Sequence, residues 1–340
     1  MNGKKVIVAL SGGVDSSVAA ALLKEEGVDV AGAFMHLDGF SSQAEKRARK
    51  VAKILHIPFF IFNFEKEFKK RVVSCFLQEG RKGLTPNPCV VCNREIKFGL
   101  FLKKALKLGA GFIATGHYAR IKNGCLLAAR DKNKDQSYFL WRLSQKQLKR
   151  ILFPVWGYTG QEVEKMAEKF KLPFIGVRKS QEICFIPGTV KDFFKLHLKS
   201  KAGQIVDASG NVLGKHEGLH FYTIGQRKGI RLSGGPYYVL GKDFKKNILI
   251  VTKNERDLLK KELLASRVNW LSGQEPVLPL GISAKIRYRQ NSAAATIAKK
   301  PKSGQYKLFF SKAQRAVTPG QSIVFYCGQK VLGGGIISPN

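Results

Sequence analysis

No stretch of this 340-residue chain approaches the run of about 20 apolar residues that a membrane helix needs. Acid is scarce. Only 24 Asp and Glu stand against 59 Lys and Arg, a formal net charge of +35. Cysteine is scarce too, with six in all, and they are scattered. The first shortage argues against a membrane partner. The second points to a polyanion, most commonly nucleic acid, and predicts binding that weakens steeply with salt. The third excludes a disulfide scaffold. The opening MNGKKVIVALSGG starts basic, but its apolar run is too short for a signal peptide, and VIVAL reads as a buried strand. A cytoplasmic location is expected, where thiols stay reduced. Repeats, low-complexity tails and disordered linkers are also lacking.

What is present divides into two rhythms. KVIVAL, DVAGAFMHL, IPFFIFNF and AGFIATG read as strands with helices between them, including one near Glu65 to Leu77 and one over IKFGLFLKKALKLG. Apolar strands alternating with helices imply a parallel sheet covered on both faces. Helices are expected to continue to about Lys199. After that come two hairpins, QIVDASGNVLGKHEG and YYVLGKDFKKNILIV, and then short strands punctuated by Gly and Pro, the pattern of a β-sandwich or barrel. The expected division is 1–200, 201–265 and 266–340.

The first chemical motif is ALSGGVDSSV, Ala9 to Val18. A buried strand runs into Ser-Gly-Gly, and Asp15 with two serines opens a helix. Gly12 and Gly13 allow a tight turn that brings N–H groups to an anion, and the helix N-terminus adds partial positive charge. Ser11, Ser16 and Ser17 offer hydroxyls, and Asp15 suits a helix cap or a Mg²⁺ ion. The lysine of a G-x-x-x-x-G-K-[ST] loop is missing, and G-x-G-x-x-G does not fit. S-G-G-x-D-S instead resembles the pyrophosphate loop of enzymes that split ATP into AMP and pyrophosphate. Met35 ends the second strand at the sheet's carboxyl edge, where it suits adenine or simply the core.

Cys89 and Cys92, in LTPNPCVVCNREIKF, have spacing compatible with zinc, an iron–sulfur cluster or a redox pair. A structural zinc site fails on ligand count, since no second C-x-x-C or H-x-x-x-H exists. Pro86 and Pro88 predict a rigid loop, with a helix after Asn93 whose positive end would lower a nearby thiol's pKa. Cys184, inside KSQEICFIPG, reads on its own as a small buried hydrophobe. Cys75, Cys125 and Cys327 have no polar motif around them and read as structural.

SGGVDSS, GLTPNPCVVCNREIKF, ATGHYAR, KDQSYFL, SQEICFIPG, TIGQRKGI and KIRYRQ occur in that order. So arranged, they resemble the tRNA-specific 2-thiouridylases over nearly the whole chain. The resemblance implies an α/β fold: a Rossmann-like pyrophosphate-loop domain, a small mostly-β central domain and a C-terminal β-barrel. It implies replacement of the C2 oxygen of a wobble uridine by sulfur, in tRNAs of the Lys, Glu and Gln type, after adenylation by ATP with Mg²⁺. Carried over, Ala9, Leu10, Ser11, Gly12, Gly13, Val14, Asp15, Ser16, Met35 and Gly116 would hold ATP. His117, Lys134, Asp135, Gln136, Arg287, Tyr288 and Gln321 would contact tRNA. Cys184 would carry a persulfide supplied by a cysteine desulfurase or sulfur-relay protein, and Cys92 would be the second catalytic thiol.

Two departures leave alternatives open. Some relatives of this kind carry aspartate where this chain has Cys89, which is then a spare thiol, a resolving cysteine or a third ligand. With Cys92 and Cys184 it would supply three thiolates to an iron–sulfur cluster, the alternative to a cluster-free persulfide route. The segment HLDGFSSQ after Met35 is short and unlike the commoner form. Rival functions are an amidoligase using the same loop and a non-catalytic RNA-binding protein.

Overall fold

A computed structural model describes residues 4–37, 42–173, 183–299 and 304–339. The middle of HLDGFSSQ, residues 38–41, and the start of KSQEICFIPG lie outside them. The strands up to residue 152 are β1 (Val6–Ala9), β2 (Val30–His36), β3 (Phe59–Asn63), β4 (Phe112–Ala114), β5 (Ala119–Lys122), β6 (Cys125–Ala128) and β7 (Ile151–Leu152). Five of them form a sheet in the order β3-β2-β1-β4-β7. Every neighbouring pair is parallel. β1 is buried throughout because helices cover both faces of the sheet. α1 (Val14–Glu25) lies on one face, and the small side chains Ala19, Ala20 and Ala21 let it sit close to the sheet. α2 (Ser42–Ile54) buries only Ala48, Val51 and Ala52, a narrow stripe on a polar helix.

The helix expected to follow Asn93 begins earlier. Pro88 takes its first position, where the missing N–H costs nothing, and the helix runs over residues 88–107 with π-type turns at Asn93–Leu100. Both cysteines of the C-x-x-C therefore lie within the helix, not before it. The helix expected near Glu65 to Leu77 also has π-type turns, at Lys69–Val73.

Helices were expected to run on to about Lys199, but β5 and β6 interrupt them as an antiparallel hairpin. Asn123 and Gly124 form its turn, both with positive φ. Asn-Gly between apolar runs is a strong hairpin signal. The two expected central hairpins are β8 (Gly203–Val206) with β9 (Val212–His216) and β10 (Tyr238–Asp243) with β11 (Ile248–Thr252), joined in one sheet.

The last strands are β12 (Leu259–Trp270), β13 (Leu280–Lys285), β14 (Ala293–Lys299), β15 (Tyr306–Arg315), β16 (Ser322–Cys327) and β17 (Lys330–Ile337). They follow the order β12-β15-β14-β13-β16-β17, and pairing of β12 with β17 closes the barrel. The β5–β6 hairpin is added to β17 from outside, with Ala128 N–H donating to the Gln329 carbonyl at 2.8 Å. Trp141, fully buried, presses on β17 where a Cβ at Gly334 would come within 2.8 Å of its ring. Its indole N–H donates to Ser322 Oγ at 3.1 Å. One apolar cluster thus runs from Phe62 and Phe101 through Tyr138 and Trp141 to Val324 and Val331. The α/β domain and the barrel share a core.

Candidate active site

The loop after β1 is held by its own serines. Ser11 N–H donates to Ser16 Oγ at 3.2 Å, and Ser16 and Ser17 hydroxyls donate to the Gly13 carbonyl at 3.0 and 2.9 Å. Arg47 Nε donates to the Gly12 carbonyl at 2.9 Å and ties the loop to α2. Gly12 has φ +75°, and a Cβ there would meet the Ala44 carbonyl oxygen at 2.2 Å. Gly13 is the N-cap and contributes no side chain, so no cap covers the amides of the first turn. Asp15 is not the cap. It accepts a 2.8 Å hydrogen bond from the buried Tyr118 hydroxyl at one oxygen.

These groups open on a cavity of about 190 Å³. Ala9, Ser11, Gly13, Asp15, Ser16, Met35, Gly116, His117 and Gln136 line it, as do Thr115 and Lys97. Leu10, Gly12 and Val14 lie behind: Leu10 is buried, Gly12 faces α2, and Val14 packs into the core around α1. Burial, aided by the Lys97 charge, holds His117 neutral, well below its ordinary pKa. Its Nδ1 pairs with Thr115 Oγ1 at 2.8 Å, and its ring lies against Phe98 and Phe153.

Lys97 was not singled out in the sequence. It sits on the π-type segment that follows the C-x-x-C, and such segments recur at functional sites. A lysine five residues after Cys92 was the available signal, and it has little specificity.

The charge of Lys97 also reaches the two thiols of the C-x-x-C. Cys92 is 6% exposed. Burial pushes its pKa up to about 12, and the Lys97 charge opposes that rise. Cys89 is half-buried, and burial raises it too, again against Lys97. The predicted lowering of a thiol pKa by a helix end is therefore corrected: the helix encloses Cys92, and loss of water outweighs its neighbours. Cys184 also departs from the reading as a buried hydrophobe, since it is exposed. The next residue, Phe185, does the burying, edge-on to Phe68 at 5.4 Å and to Phe76 at 5.8 Å. Cys184 is near enough that its charge raises both Cys89 and Cys92. Cys327, read as structural, is exposed as well.

At pH 8, a thiol with the Cys92 pKa holds about a thousandfold less thiolate than an ordinary one. Limited alkylation of the folded protein, mapped by mass spectrometry, should therefore label Cys184 and Cys327 first and Cys92 last. Early labelling of Cys92 would contradict this enclosure.

Of the expected tRNA contacts, His117 and Gln136 line the cavity, and the other five are not among its lining residues. Lys134 lies over the Tyr118 ring at 5.1 Å. Asp135 is buried and accepts from Ala129 N–H, Ser137 N–H and the Ser137 hydroxyl, so it orders the loop from within. Gln136 Oε1 accepts from Tyr118 N–H. Arg287 donates to the Ala316 carbonyl at 2.6 Å and Thr318 Oγ1 at 3.0 Å. Tyr288 packs on Phe139 with ring centroids 4.4 Å apart. Gln321 Nε2 donates to the Thr85 carbonyl at 2.8 Å and fastens the loop before Cys89 to the barrel. Beside Tyr288 lies a groove of about 750 Å³, lined also by Lys132, Lys285 and Arg289. Its basic side chains, contributed by two domains, suit a phosphate backbone.

Among the described residues, no group of three or more His, Cys, Asp or Glu is gathered to hold a metal ion. Cys89, Cys92 and Cys184 are thus not gathered here as the ligands of an iron–sulfur cluster. One carboxylate facing a phosphate-sized cavity fits Mg²⁺, which takes few protein ligands. Among the described residues, no helix is long and apolar enough to cross a membrane.

Residues 4–188 match the family described as tRNA methyl transferase HUP domain, 191–253 its PRC-barrel domain, and 260–337 an aminomethyltransferase beta-barrel domain. The tRNA-specific 2-thiouridylase MnmA of Syntrophomonas wolfei is 45% identical over 98% of this chain and 99% of its own. That of Halothermothrix orenii is 44% identical over 99% of both chains. MnmA 1 of Caldanaerobacter subterraneus is 46% identical over 98% of this chain and 97% of its own. A solved U34-tRNA thiolase, NcsA from Methanococcus maripaludis with its [4Fe-4S] cluster, aligns at TM-score 0.38 and 19% identity over 58% of this chain and 69% of that one, a likeness too slight to bear on a cluster here. With identity of this level along its whole length, the chain belongs to the tRNA-specific 2-thiouridylase family.

Proposed function

We propose that this chain is an ATP-dependent tRNA-uridine 2-sulfurtransferase acting on the wobble uridine of tRNAs of the Lys, Glu and Gln type. The observation that carries this reading is Lys97. It lines the phosphate-loop cavity, and its charge acts on Cys89 and Cys92, so nucleotide and thiols belong to one site.

Uracil O2 attacks the α-phosphorus of ATP, and pyrophosphate leaves. The loop Ala9 to Ser16 with Gly116 holds the phosphates through backbone amides, and Met35 lies against the base. Mg²⁺, held by Asp15 and the phosphates, would neutralise phosphate charge. Adenylation turns O2 into a leaving group. The terminal sulfur of a Cys184 persulfide then attacks C2 and expels AMP, after which Cys92 attacks the Cys184 sulfur, breaks the S–S bond and leaves the new sulfur on the uridine; or Cys92 attacks the Cys184 sulfur first, and the sulfide it releases attacks C2 and expels AMP. Either route leaves a Cys92–Cys184 disulfide. Exposed Cys184 is placed to be loaded by a donor, a cysteine desulfurase or sulfur-relay protein, while enclosed Cys92 is kept from adventitious oxidation. Neutral His117, Lys134 and Gln136 meet the flipped uridine and its neighbours, whereas Asp135, Arg287, Tyr288 and Gln321 shape the RNA surface from behind. The corresponding domains are 1–200, a central one up to β12 and the barrel from there on, the expected boundary at 265/266 falling inside β12, with the β5–β6 hairpin crossing to the barrel, and the setting is cytoplasmic.

The family descriptions speak of methyl transfer. That chemistry would leave both the pyrophosphate loop and the paired thiols without a use. An amidoligase would use the loop alone.

The test is thiolation of unmodified tRNA(Lys) with ATP, Mg²⁺ and a persulfide donor, read by retardation in a mercury-containing gel. Retarded tRNA with pyrophosphate release strictly dependent on tRNA is expected; release without tRNA, or methylated product, overturns the reading. Lys97→Met is expected to lower kcat about a hundredfold, the scale of losing one electrostatic stabiliser. It should also displace the pH–rate profile upward, because the thiols lose the charge that favours their thiolates. An unmoved profile would reduce Lys97 to packing.

A further inference from the structure

We propose that Cys89 is the resolving thiol of this enzyme: it attacks the Cys92–Cys184 disulfide at Cys92, forms Cys89–Cys92, and returns Cys184 free for the next sulfur. The inference rests on the thiolation reading for the origin of that disulfide.

The geometry begins with the helix. Cys89 and Cys92 lie three residues apart in its α-helical opening, before the π-type turns. Positions i and i+3 share a face, and helix dimensions put their Cα atoms about 5 Å apart. That falls inside the range of about 4.4–6.8 Å that a disulfide spans. The third thiol comes from a different segment. Cys184 is the residue before Phe185, which packs against the apolar cluster that also holds Val90 and Cys92. The charge of Cys184 is felt at both helix thiols.

The direction of exchange follows from solvation. Attack on Cys92 expels Cys184, whose exposed thiolate water can stabilise. Attack on Cys184 would expel the enclosed Cys92 thiolate, the poorest leaving group of the three. The step conserves electrons. Cys89 gives up its proton, its sulfur bonds to Cys92, the Cys92–Cys184 bond breaks, and Cys184 leaves as thiolate and takes up a proton. An external dithiol then reduces Cys89–Cys92. The exposed persulfide carrier is thereby freed without waiting for a reductant to reach it.

The test maps disulfides in the wild-type chain. Enzyme carrying one equivalent of sulfane sulfur is given tRNA and ATP without reductant, quenched in acid, alkylated and digested. Cys89–Cys92 with alkylated Cys184 is expected; Cys92–Cys184 with alkylated Cys89 overturns the proposal. A parallel arm omits tRNA and ATP and follows sulfide release from the loaded enzyme. There the same pairing is expected even if the RNA substrate has been misread, so the two failures are distinguishable. Cys89→Ser should give a burst of one thiolated tRNA per enzyme, then a steady rate about tenfold below wild type at limiting dithiol. A steady rate equal to wild type overturns the proposal.

Discussion

Cys184→Ser yields no thiolated tRNA, a fall of at least about a thousandfold, while tRNA-dependent pyrophosphate release continues. A serine hydroxyl cannot hold sulfane sulfur, whereas adenylation relies on the loop after β1 and not on a thiol. The substitution separates the two half-reactions because Cys184 is exposed. Exposed substitutions away from caps and networks usually change stability by no more than about 0.5 kcal/mol, so loss of fold will not mimic the result. The assays are the mercury gel and a coupled pyrophosphate measurement on one preparation. Residual thiolation near the wild-type rate would move the persulfide to Cys92 or Cys89. Loss of both signals would make Cys184 part of the RNA-binding surface.

Gly116→Ala is expected to weaken ATP binding about a hundredfold and to lower the melting temperature by several degrees. A Cβ there would lie 2.4 Å from the amide nitrogen of Ser16 and 2.5 Å from the carbonyl carbon of Asp15. Both are backbone atoms in the first turn of α1, with no flexible end to retreat. The strand end and the helix start must part, and the amides that face the phosphates move with them. Overpacking of this kind costs about 1–3 kcal/mol, and each kcal/mol is worth about 2–4 °C in a chain of this class. Equilibrium ATP binding and thermal unfolding check the two halves. Tight ATP binding by the variant would show that the phosphates do not lie between Gly116 and α1.

The loop after β1 was legible because its chemistry is local: glycines, serines and a helix start within ten residues. The parallel sheet and the barrel were legible through their periodicity. The misreadings have tertiary causes. Pro88 looked like part of a loop, though it suits the first position of a helix, and Cys92 is buried in a cluster whose other members, Phe62, Phe68, Tyr138 and Trp141 among them, come from distant parts of the chain. Cys184 stands in an apolar stretch, yet Phe185 and Ile186 take the interior and leave it outside. The expectation of helices up to Lys199 passed over the local hairpin signal Asn123-Gly124, and nothing local says that the hairpin pairs with a strand about 200 residues later. Lys97 is one lysine among many until the fold puts it in the lining of a cavity and its charge within reach of two thiols.

The seam between the β5–β6 hairpin, Trp141 and β17 bears on how the chain is made. A ribosome delivers the α/β half first, at about 5–20 residues per second. Its sheet can assemble at once, but Tyr138 and Trp141 have nothing to close on until Ser322, Val324 and Val331 emerge. For some seconds the nascent chain therefore shows an aromatic face and an unpaired strand edge, the combination most prone to sticking. Translation stalled before β17 would leave an aggregating fragment, not a working ATP-binding domain.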